Sequence, residues 1–446
     1  MAGNSSGSDE NDRITKLPDE IIGHILGYLP ICDAVRTSVL SRRWRCSWTK
    51  TVQLNLYFEE YEMSNERFFR LVLRVLVSHG GPIHKCVLCP NTDEIQEGTD
   101  VEGDVNAWLR LLSTMDVKDL TIDCHPDMEW KFKLPPYVFQ CLELSCLTLE
   151  YCTLEYSLAF KGFPNLTRLN LSYVEINEDM LEKVISNCPL EMLFMKYCDF
   201  YDSRTDFHPC KNAISTSSLR VLDIVGQDGL YYSYLKYTSN LKVASLLMES
   251  GYILDDVDCI TSGFDVVMCM PKIEVLTYSC RLHTAHESSI TPKALPVLLG
   301  NLKTVSLCDM DAFSANEISF MFCIMRSSPS LENLEIHMKY SYYIGRTIVD
   351  EDSLRAVTAY LEVEAKEEMK TSITTVSVIF KRGHIAERIG PEIALVDSIV
   401  SCCPALGKLV IKGSSSTIDS AKLQLSRILE RCGQSSCKPK IIYLNC

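Results

Sequence analysis

The residues best equipped for chemistry are the pair Cys86 and Cys89 and the run from His283 through His286 to Glu287. Two thiolates at that spacing can hold one side of a zinc ion, but a structural site closes only with a second Cys or His pair, and none follows at zinc-finger spacing. Two histidines three residues apart differ from the HExxH helix, which places both imidazoles on one face with a glutamate as base. A surface loop is the expectation there. There is no GxSxG turn around a nucleophile and no glycine-rich phosphate loop. No catalytic residue, metal or cofactor is therefore assigned, and the chain reads as a protein that binds.

Composition narrows what it binds. Lys and Arg number 44 against 58 Asp and Glu, a net charge of -14, so the surface repels phosphate backbones and nucleic acid is not expected as a partner. Hydrophobic residues make up 46% and charged residues 23%, the balance of an ordered chain. No run of 18 apolar residues exists and the N-terminus lacks a secretory pattern, so no membrane partner is expected and the nucleus or cytoplasm is the predicted location. The 21 cysteines are scattered and often fall on apolar-periodic positions, as reduced core residues do.

Stepping along the chain, residues 1–11 are polar and rich in Ser and Gly and read as a disordered leader. Residues 17–30 read LPDEIIGHILGYLP. Pro18 suits a first helical position, Asp19 and Glu20 suit the positive end of the helix dipole, and Ile21, Ile22, Ile25, Leu26 and Leu29 recur at helical spacing. Pro30 stops that helix, and a second is predicted from Asp33 through Val35, Val39 and Leu40 toward Trp44 and Trp48. Two helices this short need a partner surface. It is either the chain's own following region or another polypeptide. The late cluster Arg36, Arg42, Arg43 and Arg45 suits an acidic one.

Residues 12–48, DRITKLPDEIIGHILGYLPICDAVRTSVLSRRWRCSW, resemble the F-box of plant F-box proteins along their whole length. The resemblance implies a three-helix module that interlocks with a Skp-type adaptor, itself carried by a cullin. It assigns adaptor binding to Leu17, Pro18, Ile21, Ile22, Ile25, Leu29, Pro30, Val35, Val39, Leu40 and Trp44. Ile31 stands where the family often has a Ser or Thr cap, so Cys32 or Asp33 is expected to cap the second helix. The F-box is placed at residues 12–58.

From residue 80 to 345 a pattern of apolar, any, any, apolar, any, apolar recurs. Clear cases are Leu144/Leu147/Leu149, Leu166/Leu169/Leu171, Leu190/Leu193/Met195, Leu219/Leu222/Ile224, Leu302/Val305/Leu307 and Leu331/Leu334/Ile336. Weaker ones are Ile83/Cys86/Leu88, Val117/Leu120/Ile122, Leu241/Ala244/Leu246 and Ile273/Leu276/Tyr278. The pleat sends the last two apolar residues of each motif to one side of a short strand. Parallel stacking of such strands buries a continuous ladder, with segments such as residues 177–187 returning as helices, and predicts a curved leucine-rich-repeat solenoid. Its inner face would carry Arg168, Asn170, Met192, Phe194, Lys196, Val221, Asp223, Thr277, Ser306, Asn333, Glu335 and His337. Of these, Arg168, Asn170, Phe194, Lys196, Asp223, Glu335 and His337 are the candidate contacts for an unknown target protein. The acidic run 91–104 reads as a solvated loop.

Residues 346–446 show a β-α-β-α rhythm: a helix from about Asp350 to Met369, Ile373/Val376/Val378, a helix over 393–402, Leu406/Leu409/Ile411, a Ser-rich turn, and a helix over 421–432. IVSCCPALGKLVIK with AKLQLSRILE resembles the FBD domain of plant proteins that carry an F-box and leucine-rich repeats. The chain thus resembles the plant F-box/FBD/LRR-repeat family: α/β, with a small all-α F-box, a repeat solenoid and an FBD-type α/β cap. That resemblance implies a non-catalytic substrate receptor of a ubiquitin ligase. A repeat scaffold outside ubiquitination, or a sensor whose inner face takes a small molecule, are the alternatives.

Overall fold

Each motif places one apolar side chain in the turn before a strand and two inside it, and the computed structural model buries all three in every predicted repeat. All thirty residues of the ten motifs, from Ile83 to Ile336, are core, as are Ile373/Val376/Val378 and Leu406/Leu409/Ile411. The structure describes residues 14, 16–58, 64–90, 101–124, 132–155, 157–201, 218–226, 238–248, 263–280, 292–339, 351–366, 369, 371–380, 389–431 and 439–445. The chain divides into two units, Met1–His208 and Pro209–Cys446.

The first unit opens with helices α1 (Asp19–Gly27) and α2 (Ile31–Arg36) and two 3-10 turns, Thr37–Val39 and Ser47–Lys50. Strands β1 (Gln53–Tyr57), β2 (Lys85–Cys89), β3 (Asp119–Asp123), β5 (Cys146–Glu150), β7 (Arg168–Ser172) and β9 (Met192–Lys196) then form a parallel sheet in that order. The short strands β4 (Phe132–Lys133), β6 (Cys152–Leu154), β8 (Glu175–Asn177) and β10 (Asp199–Tyr201) form a second parallel sheet. Helices α3 (Asn65–Ser78), α4 (Val101–Leu112) and α5 (Glu178–Asn187) return the chain, and Phe69 of α3 stacks on Trp108 of α4 at 5.1 Å. The predicted helix over 177–187 is α5, with Asn177 as its cap: the Met180 N–H donates to Asn177 Oδ1 at 3.3 Å.

One hydrogen-bond device sets the register. The carbonyl just before most of the described strands accepts two successive N–H groups of the next repeat, as Ser145 does from Thr167 and Arg168, and Thr167 from Glu191 and Met192; Gly407 accepts only from Lys440, because Pro439 has no N–H. The N–H groups so bound would otherwise be orphaned where the chain enters the sheet.

In the second unit β11 (Val221–Gly226), β12 (Val243–Met248), β13 (Val275–Ser279), β14 (Thr304–Met310), β15 (Asn333–Met338), β16 (Thr375–Phe380), β17 (Lys408–Gly413) and β18 (Lys440–Asn445) are parallel neighbours in sequence order. Helices α6 (Gly263–Met268), α7 (Ala315–Ser327), α8 (Glu351–Glu364), α9 (Gly390–Cys402) and α10 (Ser415–Arg431) connect them. β15 pairs with β16 in unbroken register from Asn333↔Thr375 to Met338↔Phe380, so the sheet runs straight through the boundary proposed at 345/346.

Several local expectations are corrected. The second helix begins at Ile31 and ends at Arg36, short of Val39 and Leu40. Pro30 precedes it, and the Pro30 carbonyl accepts from both Asp33 and Ala34 N–H at 2.9 Å, so neither Cys32 nor Asp33 is its cap. Pro18 likewise sits at the cap of α1, one place before the first helical residue. Residues 53–57, given to the F-box, are β1 and pair with β2, because Leu54 and Leu56 alternate into the repeat core. The acidic positions 102 and 104 belong to the first turn of α4, not to a loop. The Ser-rich turn is the start of α10, where the Thr417 N–H donates to Ser414 Oγ at 3.4 Å. The leader, residues 91–100 and the His283–Glu287 run lie outside the described residues.

Candidate functional site

The α1 sequence has two apolar stripes, and folding uses only one of them. Ile22 and Leu26 pack inward with Ile31, Ala34 and Trp44 to close the module's core. That core rests on β1: the Asn55 amide donates to the Gly27 carbonyl at 3.2 Å, and a Cβ on Gly27 would stand 3.4 Å from that of Gln53. Ile21 and Ile25, one residue earlier in each turn, face the other way.

Further apolar side chains are exposed on the next segment. Ile21 is 46% exposed, Val39 88% and Leu40 56%, with Ile25, Tyr28 and Val35 also exposed. Leu17, Leu29 and Pro30 are half-buried and Pro18 exposed at the edges of this surface. Of the eleven residues that the resemblance assigns to adaptor binding, Ile22 (0% exposed) and Trp44 (3%) are core of the module, and the other nine are exposed or half-buried. Tyr28 and Ile14 are further exposed apolar side chains of the module that the resemblance did not assign. Tyr28 was findable, because it lies seven residues after Ile21 and therefore on the same side of the helix.

Charge frames this surface. Arg43 reaches back to Asp19 at the start of α1, with Nη2 2.6 Å from Oδ1, and Arg36 pairs with Asp33 at 2.8 Å. Arg42 and Arg45 are exposed. These surface pairs fix side-chain positions more than they stabilise the fold.

The candidate target contacts fall into separate groups. Arg168, Asn170, Phe194 and Lys196 lie on the adjacent strands β7 and β9, where Asn170 is in register with Phe194 and Arg168 with Met192. The Asn170 amide donates to Thr148 Oγ1 at 2.9 Å, and an Arg168 Nη2 lies 3.3 Å from the Met192 sulfur. In the second unit Glu335 and His337 stand together on β15, with His337 Nε2 2.8 Å from Glu335 Oε1. Asp223 is on β11, with β12, β13 and β14 between it and that pair. The remaining predicted face residues, Val221, Thr277, Ser306 and Asn333, are half-buried on the same alternating face of their strands.

Three tyrosines were overlooked. Tyr151, Tyr173 and Tyr197 each follow a strand, and each has a left-handed backbone with φ of 53°, 53° and 50°. Their rings stack in series, with centroids 4.7 Å apart between the first two and 4.9 Å between the second two. The signal was present as LTLEY, LNLSY and LFMKY, the same pattern ending in Tyr three times.

Among the described residues no group of three or more His, Cys, Asp or Glu is placed to hold a metal ion, and no helix is long and apolar enough to cross a membrane. Cys86 is fully enclosed in the core, where burial pushes its thiol well above the usual range.

The comparisons with known proteins agree with this architecture. Residues 14–52 match the F-box domain model, and residues 105–336 match the model for the LRR repeats of the FBD-associated F-box protein At5g56370. The chain is 30% identical to the Arabidopsis thaliana F-box/FBD/LRR-repeat protein At1g13570 over 73% of its own length and 76% of that protein's. It is 33% identical to the Arabidopsis F-box/FBD/LRR-repeat protein At5g56420 over 42% and 44% of the two chains. It is also 24% identical to the Arabidopsis FBD-associated F-box protein At5g38590 over 80% and 79%. An F-box helix pair with an open apolar face, joined to stacked parallel repeats and matched over most of its length, makes this chain a member of the plant F-box/FBD/LRR-repeat family.

Proposed function

We propose that this protein is a non-catalytic substrate receptor of a Skp-cullin-F-box ubiquitin ligase, binding the Skp-type adaptor through its first fifty residues and a target protein through its repeats. The observation that carries the reading is the exposure of Ile21, Ile25, Tyr28, Val35, Val39 and Leu40 on a module whose core closes without them. Exposed apolar side chains on one small module mark a protein-binding site, and burying one fully contributes about 1.5–3 kcal/mol.

The receptor's contribution is positional. Holding a target beside the ubiquitin-charged enzyme turns a bimolecular encounter into an effectively intramolecular one, and no group on this chain enters the chemistry. The family resemblance and the F-box match support this role.

Replacing Ile21 and Ile25 with Asp tests it. The variant should lose co-purification with a Skp-type adaptor while keeping the wild-type circular dichroism and melting temperature. Adaptor binding that survives in the folded variant would falsify the assignment.

A further inference from the structure

The three stacked tyrosines are more than the turn requires. Cys124 occupies the equivalent place one repeat earlier, its N–H donating to the Glu150 carbonyl at 3.2 Å as Tyr151 donates to Ser172 at 3.0 Å and Tyr173 to Lys196 at 2.7 Å. Yet Cys124 is not among the residues with positive φ. A left-handed backbone favours Gly or Asn, and a bulky aromatic there is strained. Three consecutive repeats nevertheless place Tyr at this position, and the result is a ladder whose ring spacing equals the strand spacing of about 4.8 Å.

The ladder reaches solvent: Tyr173 is 36% exposed. Register places acidic residues along both flanks. On the strand side, the row immediately before the tyrosines runs Asp123, Glu150, Ser172 and Lys196. On the side of the small sheet, Thr153, Glu175 and Asp199 stand in register two residues after Tyr151, Tyr173 and Tyr197, with Lys133 next to Thr153 at the end of that row. Lys196 lies 5.5 Å from the Tyr197 ring centroid, so the strand-side row is acidic at its Tyr151 end. Burial raises the pKa of the Tyr151 phenol, with Tyr173, Asp123 and Glu150 adding to it electrostatically.

We propose that the ladder of Tyr151, Tyr173 and Tyr197 is a docking rail for an extended, basic segment of a protein partner, with an Arg or Lys side chain taken up between the phenol edges and the flanking carboxylates. This deepens the reading of the repeats as the target-binding region and rests on it. Charge complementarity selects the occupant: the flanks carry four carboxylates against two ammonium groups, of which Lys133 is already paired with Glu155, and a guanidinium donates hydrogen bonds to carboxylates and phenol oxygens alike. The ladder is on the order of 10 Å long, about three residues of an extended peptide, so a linear segment fits it better than a folded surface.

The test uses the full chain and a fluorescein-labelled decapeptide of alternating Arg and Ser, read by fluorescence anisotropy, beside the same peptide with citrulline for Arg. Citrulline keeps the planar group and removes the charge. The Arg peptide should bind more tightly, and Asp123→Asn with Glu150→Gln should weaken it about fivefold or more. Glu66→Gln with Asp419→Asn removes the same charge elsewhere and should change affinity less than about twofold, which separates the rail from general attraction to an acidic protein. Tyr173→Asn, which tolerates the left-handed backbone, should also weaken binding in a chain whose melting curve shows it folded; if it does not fold, the charge variants decide. Equal binding of the two peptides, or equal losses in the two double variants, overturns the rail. Adaptor co-purification measured on the same proteins stands apart from these results, so failure of the rail and failure of the ligase reading are distinguishable.

Discussion

Arg326 and Glu364 form an ion pair inside the second unit, with 13% and 6% of their side chains exposed. Arg326 ends α7 of the repeats and Glu364 ends α8, the first helix of the FBD-like region, while a second guanidinium nitrogen donates to the Lys293 carbonyl at 3.3 Å. The pair therefore ties three segments together where a domain boundary had been expected nearby. Removing one partner leaves the other charged and buried, which costs about 3–5 kcal/mol. Glu364→Ala should lower the melting temperature of the second unit by about 10 °C, since each kcal/mol is worth roughly 2–4 °C at this size. Differential scanning calorimetry checks this, and a shift below about 2 °C would show the pair to be dispensable.

Glu317 is 1% exposed, and burial pushes its pKa up to about 8, with the Asp311 N–H bond at 2.7 Å opposing and the Asp311 carboxylate adding. It is therefore neutral in the folded protein at pH 7. A folded pKa above the unfolded one contributes stability that is complete below about pH 4.5 and is lost as pH rises through about 8. Glu317→Gln keeps the neutral acceptor for Asp311. It should melt at a higher temperature than wild type at pH 8.5 and at nearly the same temperature at pH 5. No gain at pH 8.5 would count against a buried neutral acid.

His79 shows the opposite sign. It is 8% exposed at the end of α3, and burial lowers its pKa from 6.5. Its neutral form contributes stability present above pH 6.5 and lost as pH falls through the folded value. Next to it, the Gly80 N–H donates to the Thr49 carbonyl at 2.8 Å, which places His79 at the seam between α3 and the leading module. His79→Leu should reduce the loss of thermal stability between pH 7 and pH 5, measured by melts of both proteins. An unchanged difference would mean that this imidazole is not the acid-sensitive group.

The two stripes of the leading module should respond in opposite ways. Val39→Asp with Leu40→Asp changes exposed side chains, so stability should move by no more than about 0.5 kcal/mol while adaptor binding is lost. Trp44→Ala opens the core and should cost about 3–5 kcal/mol. Titration of a purified adaptor together with urea unfolding separates the outcomes. Should Trp44→Ala abolish binding at full stability, the assignment of Trp44 to the core would fail.

On the repeat face, Arg168→Glu with Phe194→Ala alters two neighbours on β7 and β9 and should lose the target while the adaptor is retained. The check is a comparison of both partners recovered with the tagged chain. Recovery of the target unchanged would move recognition to another surface.

The repeat architecture was legible because its signal is periodic and local: Leu166, Leu169 and Leu171 must point inward in any parallel stack, whatever surrounds them. β1 and β18 went unread for the complementary reason. β1 has Thr51 at the first core position, which no apolar pattern reports, and β18 is an edge strand whose Ile441 and Ile442 are both only half-buried. In the leading module, spacing identified the apolar residues but could not separate Ile21 from Ile22. One lies on each side of a helix with two apolar stripes, and only the packing of β1 and Trp44 against one side decides which remains open. The tyrosines are the sharpest case. Two LxLxY endings and one LxMxY ending are visible in the chain, but a ladder exists only once the strands stack in register and bring residues 22 and 24 apart in sequence to within 5 Å. Local pattern thus determined which side chains are apolar and where strands recur, while tertiary structure decided which of them meet, because burial is a property of neighbours that are distant in sequence.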